Sequence, residues 1–137
     1  MSDHKCVIVI DENLPLGVIA NTAAVIAASL GRLYPDMIGH DLTDHQGHVH
    51  QGITTLPLPI LKAATDVLKC MRDQLRELEP ELLVIDLISA TRTTRSYEEY
   101  AAVMAQGPDE AIVYQGLGMI GDRTLVTRMT GNLGLLR

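Results

Sequence analysis

The chain has 137 residues, of which 47% are hydrophobic, and it contains neither Phe nor Trp. This length is enough for a core of aliphatic side chains that needs no disulfide or metal. Seventeen acidic residues against eleven basic ones give a formal net charge of −6. A net negative charge repels the phosphate backbone of a nucleic acid, so nucleic-acid binding is disfavoured. We predict a single domain over residues 1–137.

The N-terminus and the cysteines predict a cytoplasmic protein. Residues 1–13 (MSDHKCVIVIDEN) contain no apolar stretch typical of a secretory signal. No run in the chain approaches the roughly 18 apolar residues of a membrane span, so we expect no membrane partner. Cys6 and Cys70 each lie in an apolar periodic segment, which is typical of buried thiols in a reducing compartment.

The first predicted elements are a strand and a helix. The β-branched run over residues 6–10 indicates a strand that is covered on both faces. Residues 14–30 predict a helix with Asn13 as its N-cap and Gly31 as its stop. The interior of this helix is apolar almost all round, so it is either buried or packed against a second subunit.

Residues 36–58 predict a β-hairpin in which Gly47 takes the positive φ of a three-residue loop. Four of the five histidines lie between residues 40 and 50, and with Asp44 they offer ligands for a divalent metal. Exposed hairpin faces also accept histidine freely, and this spacing matches no established ligand pattern. We therefore predict no metal site.

The second half of the chain alternates helices with strands. Residues 61–78 predict a helix that ends before Pro80, because apolar side chains recur there at spacings of three and four. The remaining elements are a buried strand over residues 82–88, a helix over 96–107 with Ser96 and Glu99 as its capping box, a strand over 110–121, and a helix over 122–133 stopped by Gly131. This alternation predicts a three-layer α/β/α sandwich, and the hairpin argues for a small mixed β-sheet.

Residues 116–121 (GLGMIG) match the G-x-G-x-x-G fingerprint of dinucleotide sites and follow a predicted strand. The fingerprint also needs an acidic residue after a second strand, about 20 residues later. The residues after Gly121 look helical instead. We expect these glycines to permit a tight turn from strand to helix, and we predict no cofactor.

The loop over residues 89–97 (SATRTTRSY) is the strongest candidate site, because it leaves the carboxyl end of a buried strand, where open α/β sheets place ligands. Arg92 and Arg95 could clamp an anion, and four hydroxyl groups follow the strand. Alternatively, the loop only caps a helix, and its arginines pair with surface carboxylates. No His or Cys beside the loop could activate a hydroxyl, so nucleophilic catalysis is not supported.

Four segments carry a family resemblance: the strand KCVIVID, the helix LPLGVIANTAAVIAA, the ATRT loop and the ending VTRMTGNLGLL. Together they resemble the type 2 peptidyl-tRNA hydrolase superfamily. The chain is more closely similar to an uncharacterised bacterial family, domain of unknown function 2000, in residues 13–31, in the ending TGNLGLLR, and in a hairpin pattern made of Asp44, Gly47, His50, Gly52, Ile53, Pro57 and Pro59. The resemblance implies an α/β/α fold with a mixed four-stranded sheet and a homo-oligomer.

The catalytic groups of the hydrolase are replaced at the matched positions. The lysine, glutamine and histidine of its first-helix motif fall at Val18, Thr22 and Val25, and the aspartate of its loop motif falls at Ser89. Asp86 lies three residues earlier and would sit deeper. A missing cation and a missing carboxylate remove the groups best able to orient the ester and the attacking water. The resemblance therefore implies the fold without the activity.

We predict that the protein binds a small molecule or anion. Asn21 and Thr22 would supply neutral hydrogen bonds from the first helix, and Ser89, Arg92 and Thr93 would complete the site from the loop. Two alternatives stay open. One is a hydrolase of an aminoacyl-type ester or amide that uses Thr93 or a bound water. The other is a non-catalytic assembly protein whose first helix forms subunit contacts.

Overall fold

A computed structural model describes residues 3–137, and these form a four-stranded mixed β-sheet, a small hairpin and four α-helices. Met1 and Ser2, with which the segment tested for a secretory signal begins, lie outside the described residues. The strands are β1 (His4–Asp11), β2 (Leu42–Thr43), β3 (Val49–His50), β4 (Ile60–Ala63), β5 (Leu83–Ile88) and β6 (Tyr114–Asp122). The helices are α1 (Leu16–Leu33), α2 (Thr65–Arg76), α3 (Tyr97–Gln106) and α4 (Arg123–Thr130).

The sheet has the strand order β4-β1-β6-β5. Strand β1 pairs parallel with β4, while β6 runs antiparallel to both of its neighbours, β1 and β5. The predicted mixed sheet is therefore confirmed. The C-terminal segment covers the outer edge of β4, because Lys62 N–H donates to the Gly134 carbonyl and Leu136 N–H donates to the Ile60 carbonyl.

Alternate residues of the buried strands face opposite sides of the sheet, as the period of a strand requires. Cys6, Ile8 and Ile10 of β1 belong to a core shared with α1. Val7 and Val9 belong to a second core, shared with α2 and α4. Strand β1 is therefore covered on both sides, as its unbroken β-branched run predicted.

The glycines of β6 let α1 lie against the sheet, which corrects our expectation of a turn. Gly116 and Gly118 lie inside the strand and face α1. A Cβ atom on Gly116 would lie 2.5 Å from Cγ2 of Thr22 and 2.9 Å from Cδ1 of Ile26, and one on Gly118 would clash with Ile26 and Leu30. Two missing side chains thus make room for the buried stripe of α1.

Strand β4 corrects a second prediction. Residues 61–64 continue the helical spacing of α2, but residues 60–63 form a strand, and the helix begins at Thr65. The three-and-four spacing does not exclude a strand here, since Leu61 and Ala63 are also two residues apart and both are buried. Pairing with β1 on one side and with the C-terminal segment on the other overrides the helical preference.

Helix α1 is shifted relative to its prediction. It runs past Gly31 to Leu33, and Pro15 rather than Asn13 occupies its N-cap position. Asn13 belongs to the turn after β1, where its N–H donates to Oδ1 of Asp11 at 2.9 Å. Within residues 3–137, α1 is also long and apolar enough to cross a membrane by length and composition alone, with a mean hydropathy of 1.5. Only Thr22, Ile26 and Leu30 of α1 are buried, and this stripe packs on the sheet, so the helix has one buried face.

We predict opposite effects of alanine at two glycines that contact α1 or belong to it. Gly116→Ala should lower the free energy of unfolding by about 1–3 kcal/mol, because the new methyl group overpacks the interface with α1. Gly31→Ala should raise it by up to about 1 kcal/mol, because Gly31 is helical and a Cβ there meets no atom within 4 Å. Urea unfolding followed by circular dichroism measures both. Equal effects at the two sites would contradict the close approach of α1 to β6.

Candidate functional site

A cleft of about 340 Å³ lies between α1, the carboxyl end of β5 and the loop that leads into α3. We call it the Arg95 cleft. It is lined by Val25, Leu87, Thr91, Thr94, Arg95, Ser96, Tyr97 and Tyr100. Its volume is in the range of small-molecule sites. The loop predicted from sequence as a ligand site therefore does line a cleft, at the edge of the sheet where that prediction placed it.

The carbonyl of Ala90 holds the loop together. Residues Ser89–Arg92 form a single 3-10 turn, after which the N–H groups of Thr93 and Thr94 both donate to the Ala90 oxygen at 3.1 Å. The hydroxyl of Thr94 donates to the same oxygen at 2.8 Å. The Thr94 hydroxyl proton is therefore committed to the loop, while its oxygen can still accept a hydrogen bond.

The first turn of α3 is capped by the chain itself. Oγ of Ser96 accepts from the N–H of Glu99 at 3.1 Å, and Oε1 of Glu99 accepts from the N–H of Arg95 at 2.9 Å. The capping box is thus displaced by one residue from its usual form, in which the glutamate would bind the N–H of Ser96 itself. The N–H groups of Glu99 and Arg95 are therefore committed to these bonds.

Tyr100 anchors α3 to the end of β5. Its hydroxyl oxygen accepts a hydrogen bond from the N–H of Ile88 at 2.9 Å. Burial raises the pKa of the Tyr100 hydroxyl, so this side chain stays neutral and serves as a wall of the cleft. Tyr97, 83% exposed, lies 6.5 Å from Tyr100 between ring centroids and forms the outer rim.

Arg95 is the one basic residue in the lining of the cleft, and the lining contains no acidic residue. Among the described residues, no carboxylate forms an ion pair with the guanidinium of Arg95 or of Arg92. The surface pairing that was the alternative interpretation of these arginines is therefore not present. The exposed guanidinium of Arg95 remains available to an anion.

The five residues predicted from sequence lie around the cleft rather than in its lining. Asn21, Arg92 and Thr93 are exposed, Asn21 one helical turn before Val25 and the other two between Thr91 and Thr94. Ser89 is half-buried, and its N–H donates to the carbonyl of Val113. These residues stay a prediction of the ligand site, since nothing in the geometry tests their contact with a ligand.

Thr22, the fifth predicted residue, is fully buried. Its hydroxyl donates to the carbonyl of Val18 at 2.7 Å and accepts from Nε2 of Gln115 at 2.8 Å. The bond to Val18 lies within α1, while the bond from Gln115 of β6 connects the helix to the sheet. Sequence reasoning missed Gln115, because a single polar residue in an apolar strand resembles any exposed strand position.

Sequence reasoning also missed the apolar walls, Val25 and Leu87. The signal was available at Val25, which lies one turn from Asn21 on the same helix. Apolar residues in a helix and a strand usually belong to the core, so their type alone does not distinguish a cleft wall from a core position.

Asp86 belongs to the opposite face of the sheet. Nε of Arg72 donates to its Oδ2 at 2.7 Å, and Nη1 of Arg72 donates to Oε1 of Glu79 at 3.0 Å. Arg72 is a buried residue of α2. Burial has the largest single effect on its pKa and lowers it, but the hydrogen bonds and charges of Asp86 and Glu79 together raise the pKa above its ordinary value. The one carboxylate within β5 is therefore held by α2 and does not reach the Arg95 cleft.

The histidine-rich hairpin closes around Asp44. Oδ1 of Asp44 accepts from the N–H groups of Gln46 and His48, and its Oδ2 lies 2.8 Å from Nε2 of His50. Gly47 takes a φ of 88°, as the three-residue loop predicted. Within residues 3–137, no three His, Cys, Asp or Glu side chains converge in a way that could hold a metal ion. The carboxylate of Asp44 therefore stabilises the turn through these hydrogen bonds.

We predict that acid loosens this hairpin. The His50 side chain and then the His48 N–H lower the pKa of Asp44 from its ordinary value of 3.8. Because the folded pKa is depressed, the stabilisation is fully present above about pH 4 and is lost as pH falls through the lowered pKa. The NMR amide shifts of Gln46 and His48 should titrate there. Asp44→Asn should remove this titration, and Asp36→Asn should not.

The two cysteines differ in accessibility, which corrects the prediction that both are buried. Cys6 lies in the core, and burial raises the pKa of its thiol to about 11. Cys70 is exposed on α2, beside a second cleft of about 370 Å³ between α2 and α4. The sequence pattern misled because Cys70 lies next to Met71, which is the residue that faces the core.

We predict that a thiol reagent such as Ellman's reagent modifies one cysteine in the native chain at pH 8 and both in denaturant. The reagent reaches the exposed Cys70, while the buried thiol of Cys6, with a pKa of about 11, stays protonated. Cys70→Ser should abolish native reactivity, and Cys6→Ser should preserve it. Rapid modification of Cys6 in the native chain would contradict the buried position of β1.

Comparisons with known proteins give a family and a fold. The family model described as protein of unknown function (DUF2000) matches residues 4–137. A solved structure of the protein of unknown function Atu0240 from Agrobacterium tumefaciens strain C58 superposes with a TM-score of 0.88. It is 17% identical, and the match covers 98% of each chain. No curated protein matches the chain.

Proposed function

The chain belongs to the DUF2000 family of proteins of unknown function, and from that premise we propose that it binds a small anionic molecule in the Arg95 cleft. The observation that carries the proposal is the guanidinium of Arg95, which has no ion-pair partner among the described residues and lines a cleft without other ionised groups. A guanidinium in such a place gains most from an anion, because it offers two parallel donors in a fixed geometry.

The position of the cleft supports the same function. It lies beyond the carboxyl end of β5, and ligands of open α/β sheets favour this edge. Leu87 and Tyr100 give it an apolar wall, so an ion pair formed there is less exposed to water than one on an open surface. Asn21, Arg92 and Thr93 stand at its rim in this proposal, with Arg92 as a second and more distant cation.

We also propose the finer form of the fold and the setting of the protein. The fold is a three-layer α/β/α sandwich of the type 2 peptidyl-tRNA hydrolase kind, an assignment supported by α1 on one side of the sheet and α2 and α4 on the other. The protein is a cytoplasmic homo-oligomer. In support of an oligomer, α1 keeps apolar residues exposed, among them Leu16 and Leu33.

We predict that Arg95→Gln weakens binding of the fluorescent anion anilinonaphthalene sulfonate at least tenfold. A charge-assisted hydrogen bond contributes about 1.5–3 kcal/mol, and each 1.4 kcal/mol is a factor of ten in Kd. A fluorescence titration at low ionic strength measures this change. Arg92→Gln should weaken binding less than threefold, because Arg92 is not in the lining of the cleft.

Arg128→Gln is the matched control, because Arg128 lines the second cleft, between α2 and α4. It should leave the affinity unchanged. A larger loss in Arg128→Gln than in Arg95→Gln would place the probe in that second cleft and overturn the proposal. A larger loss in Arg92→Gln would overturn the role of Arg95 and favour the site predicted from sequence.

A further inference from the structure

The charge around the Arg95 cleft favours an anion with a single negative charge. Arg95 supplies one positive charge, and the first turn of α3 carries two carboxylates, Glu98 and Glu99. The carboxylate of Glu99 is held close to the cleft, because it accepts from the backbone N–H of Arg95. Arg95 can neutralise a monoanion, whereas the second charge of a dianion would find no further cation in the lining and would lie near Glu99.

Part of the backbone donor capacity beside the cleft is already used within the chain. A phosphate at a helix N-terminus uses the free N–H groups of the first turn. In α3, the N–H of Glu99 already donates to Ser96, and the N–H of Arg95 before it donates to Glu99. The charged donor in the lining is the guanidinium fork of Arg95, whose planar geometry matches the two oxygens of a carboxylate.

The remaining lining specifies the body of the ligand. Val25, Leu87 and Tyr100 form an apolar wall that suits an aromatic or branched aliphatic group. The Thr94 hydroxyl gives its proton to the Ala90 carbonyl, so towards a ligand it acts as an acceptor. A hydroxyl or amide N–H on the ligand, close to its carboxylate, would satisfy that oxygen.

From this arrangement we infer that the Arg95 cleft takes a monocarboxylate with an apolar body and a hydrogen-bond donor next to the carboxylate. This inference rests on the proposed function, since it names the chemical class of the anion that the same cleft binds. Arg95 determines the preference for charge, and Thr94 determines the preference for the adjacent donor.

Competition against anilinonaphthalene sulfonate tests the class with four probes that share a phenyl group: phenyllactate, phenylpropionate, phenylpropanamide and phenyl phosphate. Phenylpropionate should displace the dye at a concentration at least about tenfold lower than its neutral amide or phenyl phosphate does. Phenyllactate should bind about threefold to tenfold more tightly than phenylpropionate, because its hydroxyl donates to Thr94.

Variants separate the two determinants. Arg95→Gln should remove the preference for phenylpropionate over its amide. Thr94→Val should remove the advantage of phenyllactate, and Thr94→Ser, which keeps the hydroxyl, should restore it. Circular dichroism and the midpoint of urea unfolding verify that each variant folds.

The outcomes distinguish this inference from the proposed function. If the dye binds through Arg95 but phenyl phosphate or the amide competes best, the cleft is an anion site and the carboxylate class is wrong. The same holds if none of the four probes competes with the dye. If the dye does not bind at all, or if its binding is independent of Arg95, the proposed function itself fails.

Discussion

The close approach of α1 to β6 is the constraint on which the rest of the molecule depends. Gly116 and Gly118 leave no side chains between the strand and the helix, and Thr22 and Ile26 fill that space. The buried hydrogen bond from Nε2 of Gln115 to Thr22 then links the helix to the strand, while Oε1 of Gln115 is buried with no hydrogen-bond partner among the described residues. With α1 held in this way, Val25 faces the end of β5 and the cleft has its inner wall.

The two sides of the sheet carry different chemistry. On the α2 side, Arg72 is enclosed with Asp86 and Glu79, a buried network in which removing one partner would leave an uncompensated charge. On the α1 side, the core shared with the helix is built from apolar side chains together with the hydrogen-bonded pair Thr22 and Gln115. Asp86 and Leu87 are neighbours on one strand, yet only Leu87 lines the cleft. The alternation of a strand thus separates the carboxylate from the ligand site.

Much of the fold could be predicted from local sequence, and the exceptions have specific causes. The strand over residues 82–88 and the capped helix after Ser96 were found because hydrophobic runs and capping residues act locally. Strand β4 was missed because its pairing partners, β1 and the C-terminal segment, are distant in sequence. The role of Gly116 and Gly118 was missed because it depends on the packing of another element.

The candidate site was predictable as a loop but not as a set of side chains. In the 3-10 turn over Ser89–Arg92, successive residues point about 120° apart, so neighbours in the loop face different directions. The composition SATRTT therefore does not specify which hydroxyl or guanidinium reaches the cleft. Thr91 and Arg95 line it, whereas Arg92 and Thr93 are exposed beside it. From sequence alone, Arg92 and Arg95 were equal candidates for binding an anion. The turn between them decides that only Arg95 lines the cleft.

The charged group in the cleft, the guanidinium of Arg95, argues for binding rather than hydrolysis. At two positions where the resemblance to the hydrolase would place catalytic groups, Val18 is half-buried with its carbonyl bound to Thr22, and Ser89 follows strand β5. The group that the Arg95 cleft retains is a guanidinium, which stays protonated and cannot act as a general base. The hydroxyl of Thr93 donates to the Ala90 carbonyl rather than to a base that could activate it. A fixed cation beside an apolar wall therefore supports the proposed binding of a carboxylate.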